Sequence, residues 1–476
     1  MKKLKNICIL FTAVIGLTSC AKSYLNELPP TAIPVTSSIT TVGDMADAVN
    51  GMYSTMRSIN SFGANIPIIG DELADNTYVS FSNSGYWLNE ESYNINNTNT
   101  EAAGIYQQCY ISILQANRII AANIPVTSDV LQLKGEAYAS RALNYLALVN
   151  TFATPATVST TAPGVPIVTS PEYITGAFIK PARATVGAVY AQIISDLDSA
   201  YLIMPAAGTT LHPISSDYIS KYAAKAIESR AYLFEGNYAN AITAAQLVVQ
   251  NGGYTLVTAP NLVSYWGNPA AITNKVETIF ELELNLANNN GFQSFDNFYN
   301  QGGYGQNLVF QALYNLYTPT DSRINLFLLN QPSRAGVVLN KWINTLSGTD
   351  RDNIKIIRYS EVILNLAEAY AQTGDNVNGQ KYANMVAQTR DPSFTGYTDI
   401  GAQLVTDVLN EKRKEFVGEG FRWYDLNRLQ LTITRPVQTG AITYFTPIPT
   451  SDYRRIFPIP IGEIDANPAT IQNPGY

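Results

Sequence analysis

The sequence predicts a mainly α-helical protein, and three observations carry that expectation. Apolar residues recur at helical spacing along much of the chain. Two separate segments repeat one helix–turn–helix pattern. The stretches that interrupt the pattern are rich either in Pro or in Asn, Ser and Gly.

The chain opens with Lys2, Lys3 and Lys5, an apolar run over 7–16, and Leu17-Thr18-Ser19-Cys20. A basic start, a short apolar run and small residues before the cut describe a secretory signal over 1–19. The run is too short to cross about 30 Å of hydrocarbon as a helix. Leu17-Thr18-Ser19-Cys20 resembles the bacterial lipobox, which makes Cys20 the expected lipidation site and the new N-terminus. Pro29, Pro30 and Pro34 then mark 20–40 as the lipidated N-terminus and an extended tether. Loss of the three signal lysines takes the formal charge from −7 to −10, and an acidic surface argues against nucleic acid as a partner. Of the three cysteines, Cys8 leaves with the signal and Cys20 carries lipid, so Cys109 is expected as a buried, unpaired thiol on a helix.

From 41 to 476 the patterning predicts one helical domain. Ile363, Leu366, Ala367, Tyr370 and Ala371 form one stripe, and Tyr238, Ala241, Ile242, Ala245 and Val249 another. Ala231-Tyr232-Leu233-Phe234-Glu235-Gly236-Asn237 parallels Ala369-Tyr370-Ala371-Gln372-Thr373-Gly374-Asp375. In each, a Gly suited to a left-handed helix end precedes an Asn or Asp suited to cap the next helix. These are hairpins of tetratricopeptide type. Ala226, Ala241 and Ala245 let the paired helices approach. Residues 131–152 and 184–204 read as a further pair across a loop holding Pro163, Gly164 and Pro166. The copies are scattered, so the expectation is one scaffold with long insertions rather than a regular solenoid. The tail from 446 to 476 is punctuated by proline and cannot be continuous helix.

Two insertions stand apart. Residues 76–100 hold Tyr78, Phe81, Tyr86, Trp87 and Tyr93 among Asn, Ser and Thr. Residues 285–307 hold Phe292, Phe295, Phe298, Tyr299 and Tyr304 among Asn, Gln and Gly. Neither shows clear helical periodicity. Rigid amphipathic rings beside adaptable amides are how binding loops gain affinity. Tyr78, Tyr86, Trp87, Tyr299 and Tyr304 are therefore the candidate ligand contacts, with Asn83 and Asn300 as polar partners.

Catalytic signals are weak by comparison. The one histidine, His212, sits beside Pro213 and reads as an exposed loop residue; alone it supplies neither a two-His metal site nor HExxH. No nucleotide loop, CxxC or GxSxG occurs. Asp71, Glu72 and Asp75 read as a solvated helix end or a weak Ca²⁺ site, with nothing opposite them to complete the acid pair of a glycosidase. No catalytic residue, cofactor or metal site is expected, and a surface glycan hydrolase remains only a remote alternative. The charges between Glu411 and Arg428 are expected to pair with each other structurally.

In order along the chain, several short motifs resemble one family. They are the lipobox with Tyr24-Leu25 and Pro29; Tyr110, Ile113 and Asn117; Gly135-Glu136-Ala137 with Arg141-Ala142; and Gly164-Val165-Pro166 with Arg183-Ala184-Thr185. Arg358-Tyr359-Ser360-Glu361, Glu411 to Phe416 with Glu419-Gly420-Phe421-Arg422-Trp423-Tyr424-Asp425, and the end around Phe457-Pro458-Ile459-Pro460 and Asn473-Pro474-Gly475-Tyr476 complete the set. Together they resemble the SusD/RagB proteins. Lys412 departs where arginine is common, and Asn26 where an aspartate often follows. The resemblance implies a tetratricopeptide-like α-helical fold at the outer face of the outer membrane. It also implies a SusC-like TonB-dependent transporter as partner, and capture of oligosaccharides or, as in RagB-like members, oligopeptides. Glycan binders often use tryptophan platforms, and the four Trp here leave glycan only slightly ahead of peptide.

Overall fold

The computed structural model describes residues 38–171, 180–285, 287–331, 334–344 and 352–476. The leader, Cys20 and the tether up to residue 37 lie outside the described residues. The chain begins with α1 (Val42–Met56), α2 (Asn65–Glu72), β1 (Thr77–Val79), α3 (Leu88–Glu91), α4 (Thr100–Ala121) and α5 (Ser128–Phe152). There follow α6 (Val186–Ile203), α7 (Lys221–Glu235), α8 (Tyr238–Asn251), α9 (Leu262–Trp266), β2 (Thr278–Leu282), α10 (Phe295–Tyr299), β3 (Asn307–Val309) and α11 (Gln311–Tyr314). The remainder comprises β4 (Phe327–Gln331), β5 (Arg334–Leu339), β6 (Ile354–Arg358), α12 (Tyr359–Gln372), α13 (Asn376–Arg390), α14 (Ala402–Phe416), α15 (Arg422–Arg428) and α16 (Ile461–Ala466).

The fold is mainly α-helical and built on tetratricopeptide-like hairpins. α7 ends at Gly236, φ 82°, and the Asn237 side chain caps α8 by accepting from the Asn240 N–H. α12 is followed by Gly374, φ 84°, and Asp375 caps α13 by accepting from Asn378. Both turns therefore place glycine where an L side chain would be strained and an amide or carboxylate where an orphan N–H needs an acceptor. Ala226, Ala241 and Ala245 are fully or almost fully buried. Packing runs from α1 through α4, α5, α6 and α7 to α8, which contacts α12 of the second hairpin. Cys109 is buried on α4 and free, and burial pushes its thiol up to about 12.

A buried ion network joins the second hairpin to α14 and to the start of β2. Arg358, where β6 meets α12, donates to both Glu419 oxygens and to Glu277 and Glu415, each at 2.8 Å. Arg390 on α13 reaches Glu277 at 3.0 Å and Glu415 at 2.9 Å. Arg323 reaches Glu411 at 2.7 Å and Glu415 at 3.1 Å. Burial alone would raise the Glu415 carboxyl; Arg390 and Arg358 outweigh it and hold it well below the carboxylate range. Lys412 stands between Glu368 at 2.8 Å and Asp425 at 3.2 Å. The charged block is thus structural, but its main partners lie on other elements rather than one turn away on the same helix.

The proline-rich tail is a strap, not a loose end. Phe457 N donates to Thr151 O at 2.8 Å, and the Asn473 amide donates to Phe152 O at 2.8 Å while its oxygen accepts from Arg183 at 2.8 Å. Tail and Arg183 together close off the end of α5.

Two expectations are corrected. His212 is 3% exposed, not a solvent-facing loop residue: its Nδ1 lies 2.7 Å from Glu136 Oε1, and its ring stacks on Tyr218 at 4.0 Å. Asp71 and Glu72 are not a solvated helix end either, for both are fully buried. Asp71 accepts from Gly418 N and Asn76 Nδ2, and Asp75 pairs with Arg422 at 2.7 Å. The acids are spaced as on a surface turn, but α2 packs against α15 and α4 and takes them inside.

Candidate functional site

One strand pair brings the two insertions together. β1 and β3 are antiparallel, with Thr77 opposite Val309, Tyr78 opposite Leu308 and Val79 opposite Asn307. The first insertion leaves β1 at Val79 and the second enters β3 at Asn307, so the pairing sets the exit of one beside the entry of the other. Ser80 N donates to Gln306 O at 2.8 Å. The Gln306 side chain continues the seam, accepting from Ser84 N and donating to Tyr86 O, both at 3.0 Å. Further out, Gln293 Nε2 donates to the Tyr86 hydroxyl at 2.8 Å.

An aromatic cluster fills the junction. Phe298, fully buried, takes the edge of Trp87 at 4.4 Å, meets Tyr86 at 5.1 Å and stacks on Tyr304 at 5.2 Å. Phe292 lies edge-on to Tyr304 at 6.2 Å. The cluster is graded from inside to outside. Trp87 is 1% exposed and donates its indole N–H to Asn65 at 3.0 Å. Tyr86 and Tyr304 are half-buried, and Phe292 is 62% exposed; elsewhere on the first loop Phe81 is 78% exposed. Gly303 fixes the turn beneath Tyr304: a Cβ there would come within 2.4 Å of Asn297 Oδ1 and 2.7 Å of its main-chain oxygen.

The structure separates the seven sequence candidates. Tyr86 and Tyr304 come together on the outer layer, 5.3 Å apart. Tyr78, Trp87 and Tyr299 are turned inward, so the expectation that they face a ligand is corrected. Tyr78 sits on the face of β1 that packs on Phe310, Leu308 and Val338. Tyr299 closes α10 with Phe295 and Phe298, at helical spacing, and lies 5.3 Å from Trp342. Asn83 and Asn300 are turn formers. Asn83 donates to Ser80 O and Phe81 O and accepts from Gly85 N; Asn300 accepts from Gly302 N at 2.7 Å. They shape the loops that carry the rings.

Sequence reasoning passed over Phe81, Phe292, Gln293 and Gln306. Phe292 stands between Gly291 and Gln293 and Phe81 between serines, whereas Phe295, Phe298 and Tyr299 follow an i, i+3, i+4 rule. In the second insertion the ring without periodic apolar neighbours, Phe292, ends up outside, and the three with them end up in the core. A third segment was also missed. Phe81 N donates to Gly440 O at 2.6 Å and Ser80 bridges to Ala441, which brings 429–446 alongside the first loop.

Buried carboxylates lie under the first loop. Burial and the adjacent Glu91 push the Glu72 carboxyl well above the ordinary range, and burial raises Asp71 to about 6 and Glu90 to about 7. Arg435 donates to the main-chain oxygens of Glu72, Ala74 and Glu91. None of these acids is open to the ring face. That face offers apolar ring surface and amides, suited to an amphipathic ligand. Among the described residues no group of three or more His, Cys, Asp or Glu is placed to hold a metal, and no helix is long and apolar enough to cross a membrane.

The chain is similar to known proteins along its length. Residues 328–476 match the SusD family model, and residues 23–233 match a model described as starch-binding associating with outer membrane. A SusD-like protein of Formosa agariphila is 24% identical over 541 aligned positions spanning all of both chains. A Bacteroides vulgatus protein named for sugar binding has a solved structure 30% identical to this chain. It covers 92% of this chain and all of its own, with a TM-score of 0.81. A SusD superfamily protein of Bacteroides thetaiotaomicron is 28% identical over 91% of this chain and 100% of its own, with a TM-score of 0.80. On the combined strength of these matches and the helical-hairpin fold, the chain belongs to the SusD/RagB family.

Proposed function

We propose that this protein captures oligosaccharides at the outer face of the outer membrane and delivers them to a SusC-like TonB-dependent transporter. The observation that carries the reading is the ring face where the two insertions meet. Tyr86, Phe292 and Tyr304 present aromatic surface beside amides, the combination that covers the C–H face of a sugar ring while exchanging hydrogen bonds with its hydroxyls. The sugar-binding relative and the starch-binding family description support the same reading. Tyr86 and Tyr304 are the central contacts, Phe292 the flanking one, and Asn83 and Asn300 hold the loop shapes.

The role is binding without catalysis. Glycoside hydrolysis requires two carboxyl groups facing the bond, and Asp296, the one acid in 287–307, is 1% exposed. Lipidation at Cys20 and the tether over 20–40 would keep the domain beside a barrel mouth, raising the effective concentration of the two partners. Passage inward must come from that barrel, since the chain carries no nucleotide loop of its own.

A glycan array run beside a peptide library, with Tyr304→Ala as control, tests the ligand class. Glycan hits lost in the variant support the reading, and peptide hits alone overturn it. Mild-detergent purification after cross-linking should recover a much larger barrel protein; recovery of the lipoprotein alone would count against the delivery role.

A further inference from the structure

We infer that the ligand taken at the ring face is electrically neutral: an uncharged oligosaccharide, not a uronate-bearing or sulfated one. The inference rests on the reading of that face as a glycan site and adds the charge class of the glycan. Three segments form the face and its flank, 80–89, 287–307 and 429–446. Charged residues make up 14% of the chain, yet across these three segments only Asp296 and Arg435 are charged. Both are buried, at 1% and 4% exposure.

The placement of the bases strengthens the point. Arg435 directs its guanidinium inward to the main-chain oxygens of Glu72, Ala74 and Glu91, so it presents nothing to the face. Arg57 touches the second loop through its carbonyl, which accepts from Asn290 Nδ2 at 2.8 Å. Its own guanidinium turns to the Glu283 main-chain oxygen at 3.2 Å. A carboxylate or sulfate settling on these rings would lose water and gain no cation from the described residues in return. Exclusion by missing partners is a recognised route to specificity. The protein as a whole is acidic, with a formal charge of −7, so a polyanion is also repelled at long range. A neutral sugar meets neither obstacle, because Gln293 and the Tyr86 and Tyr304 hydroxyls both donate and accept.

The test uses the full lipidated protein in detergent, titrated calorimetrically with neutral glucan, mannan and galactan oligosaccharides, with polygalacturonate fragments and with dextran sulfate. Each titration is run at about 50 mM and about 500 mM salt. The expected result is binding of at least one neutral glycan, with an affinity that changes less than about twofold between the two salts, and no binding of either polyanion. Polygalacturonate or dextran sulfate binding that weakens about tenfold or more at high salt and is lost in Tyr86→Ala/Tyr304→Ala would overturn neutrality while leaving the glycan reading intact. Failure of every glycan, neutral and charged, would overturn the glycan reading and this inference with it.

Discussion

The ion network behind the second hairpin and the face of the two insertions are opposite solutions to placing polar groups. In the network, Arg323, Lys341, Arg358 and Arg390 meet Glu277, Asp321, Glu411, Glu415 and Glu419, all of them buried but the half-buried Glu419. Within the face segments 80–89, 287–307 and 429–446 both charged residues are buried, and the polar work falls to amides and hydroxyls. A buried ion pair loses more in desolvation than a surface pair, but it tolerates one geometry only, and here that geometry locks α12, α13, α14 and β2 together. A neutral ring face tolerates many poses. The charges specify the scaffold, and their absence leaves the ligand face adaptable.

The largest expected effect comes from breaking the first region. Glu415→Ala removes the carboxylate shared by Arg323, Arg358 and Arg390 and should cost about 3–5 kcal/mol of stability, read as a lower midpoint in denaturant. Ligand affinity of the folded fraction should be unchanged. A loss below about 1 kcal/mol would place the network among pairs that contribute little.

Trp87→Ala sharpens the boundary between the regions. Trp87 lies in the aromatic cluster but on its buried side, against Phe298 and Asn65, so it should behave as core and cost about 3 kcal/mol of stability. Unchanged thermal stability with a large loss of binding would return it to the ligand face.

That distinction marks the limit of what the sequence made legible. The hairpin turns at Gly236-Asn237 and Gly374-Asp375 were readable because helix ends are local events with local signatures. The pairing of β1 with β3 was not, because two three-residue strands 230 positions apart carry no periodic signal. Without that pairing the rings of each insertion could be grouped by composition but not divided into inward and outward. For Phe295, Phe298 and Tyr299 the division was present as helical spacing, obscured by the surrounding Asn and Gly. The burial of Glu72 and His212 was hidden for a similar reason: a lone polar residue gives no pattern, and its place is set by what packs over it.

A smaller effect is expected from the acids beneath the first loop. The folded-state pKa of Glu72 is raised, so the folded chain holds a proton that the unfolded chain releases. Asp71, at about 6, and Glu90, at about 7, act in the same direction. The contributions of Asp71 and Glu90 are present below 3.8 and 4.5 and are lost as pH rises through about 6 and about 7, and that of Glu72 begins to fall above 4.5 in the same direction. The network carboxylates such as Glu415 have lowered values and titrate below this window. Wild-type Tm should therefore fall across it, and Glu72→Gln, which keeps the shape and removes the charge, should fall less. An identical slope in the variant would mean that Glu72 is ionised in the folded protein.

The central claim is that stability and recognition are divided between the two regions. It is tested most directly by measuring affinity for one neutral oligosaccharide and Tm side by side in Tyr86→Ala/Tyr304→Ala and in Glu415→Ala. The ring variant should lose about tenfold or more in affinity with Tm within a few degrees of wild type, and the network variant should show the reverse. Unchanged affinity in the ring variant, or a network variant that melts normally and binds poorly, would contradict the account.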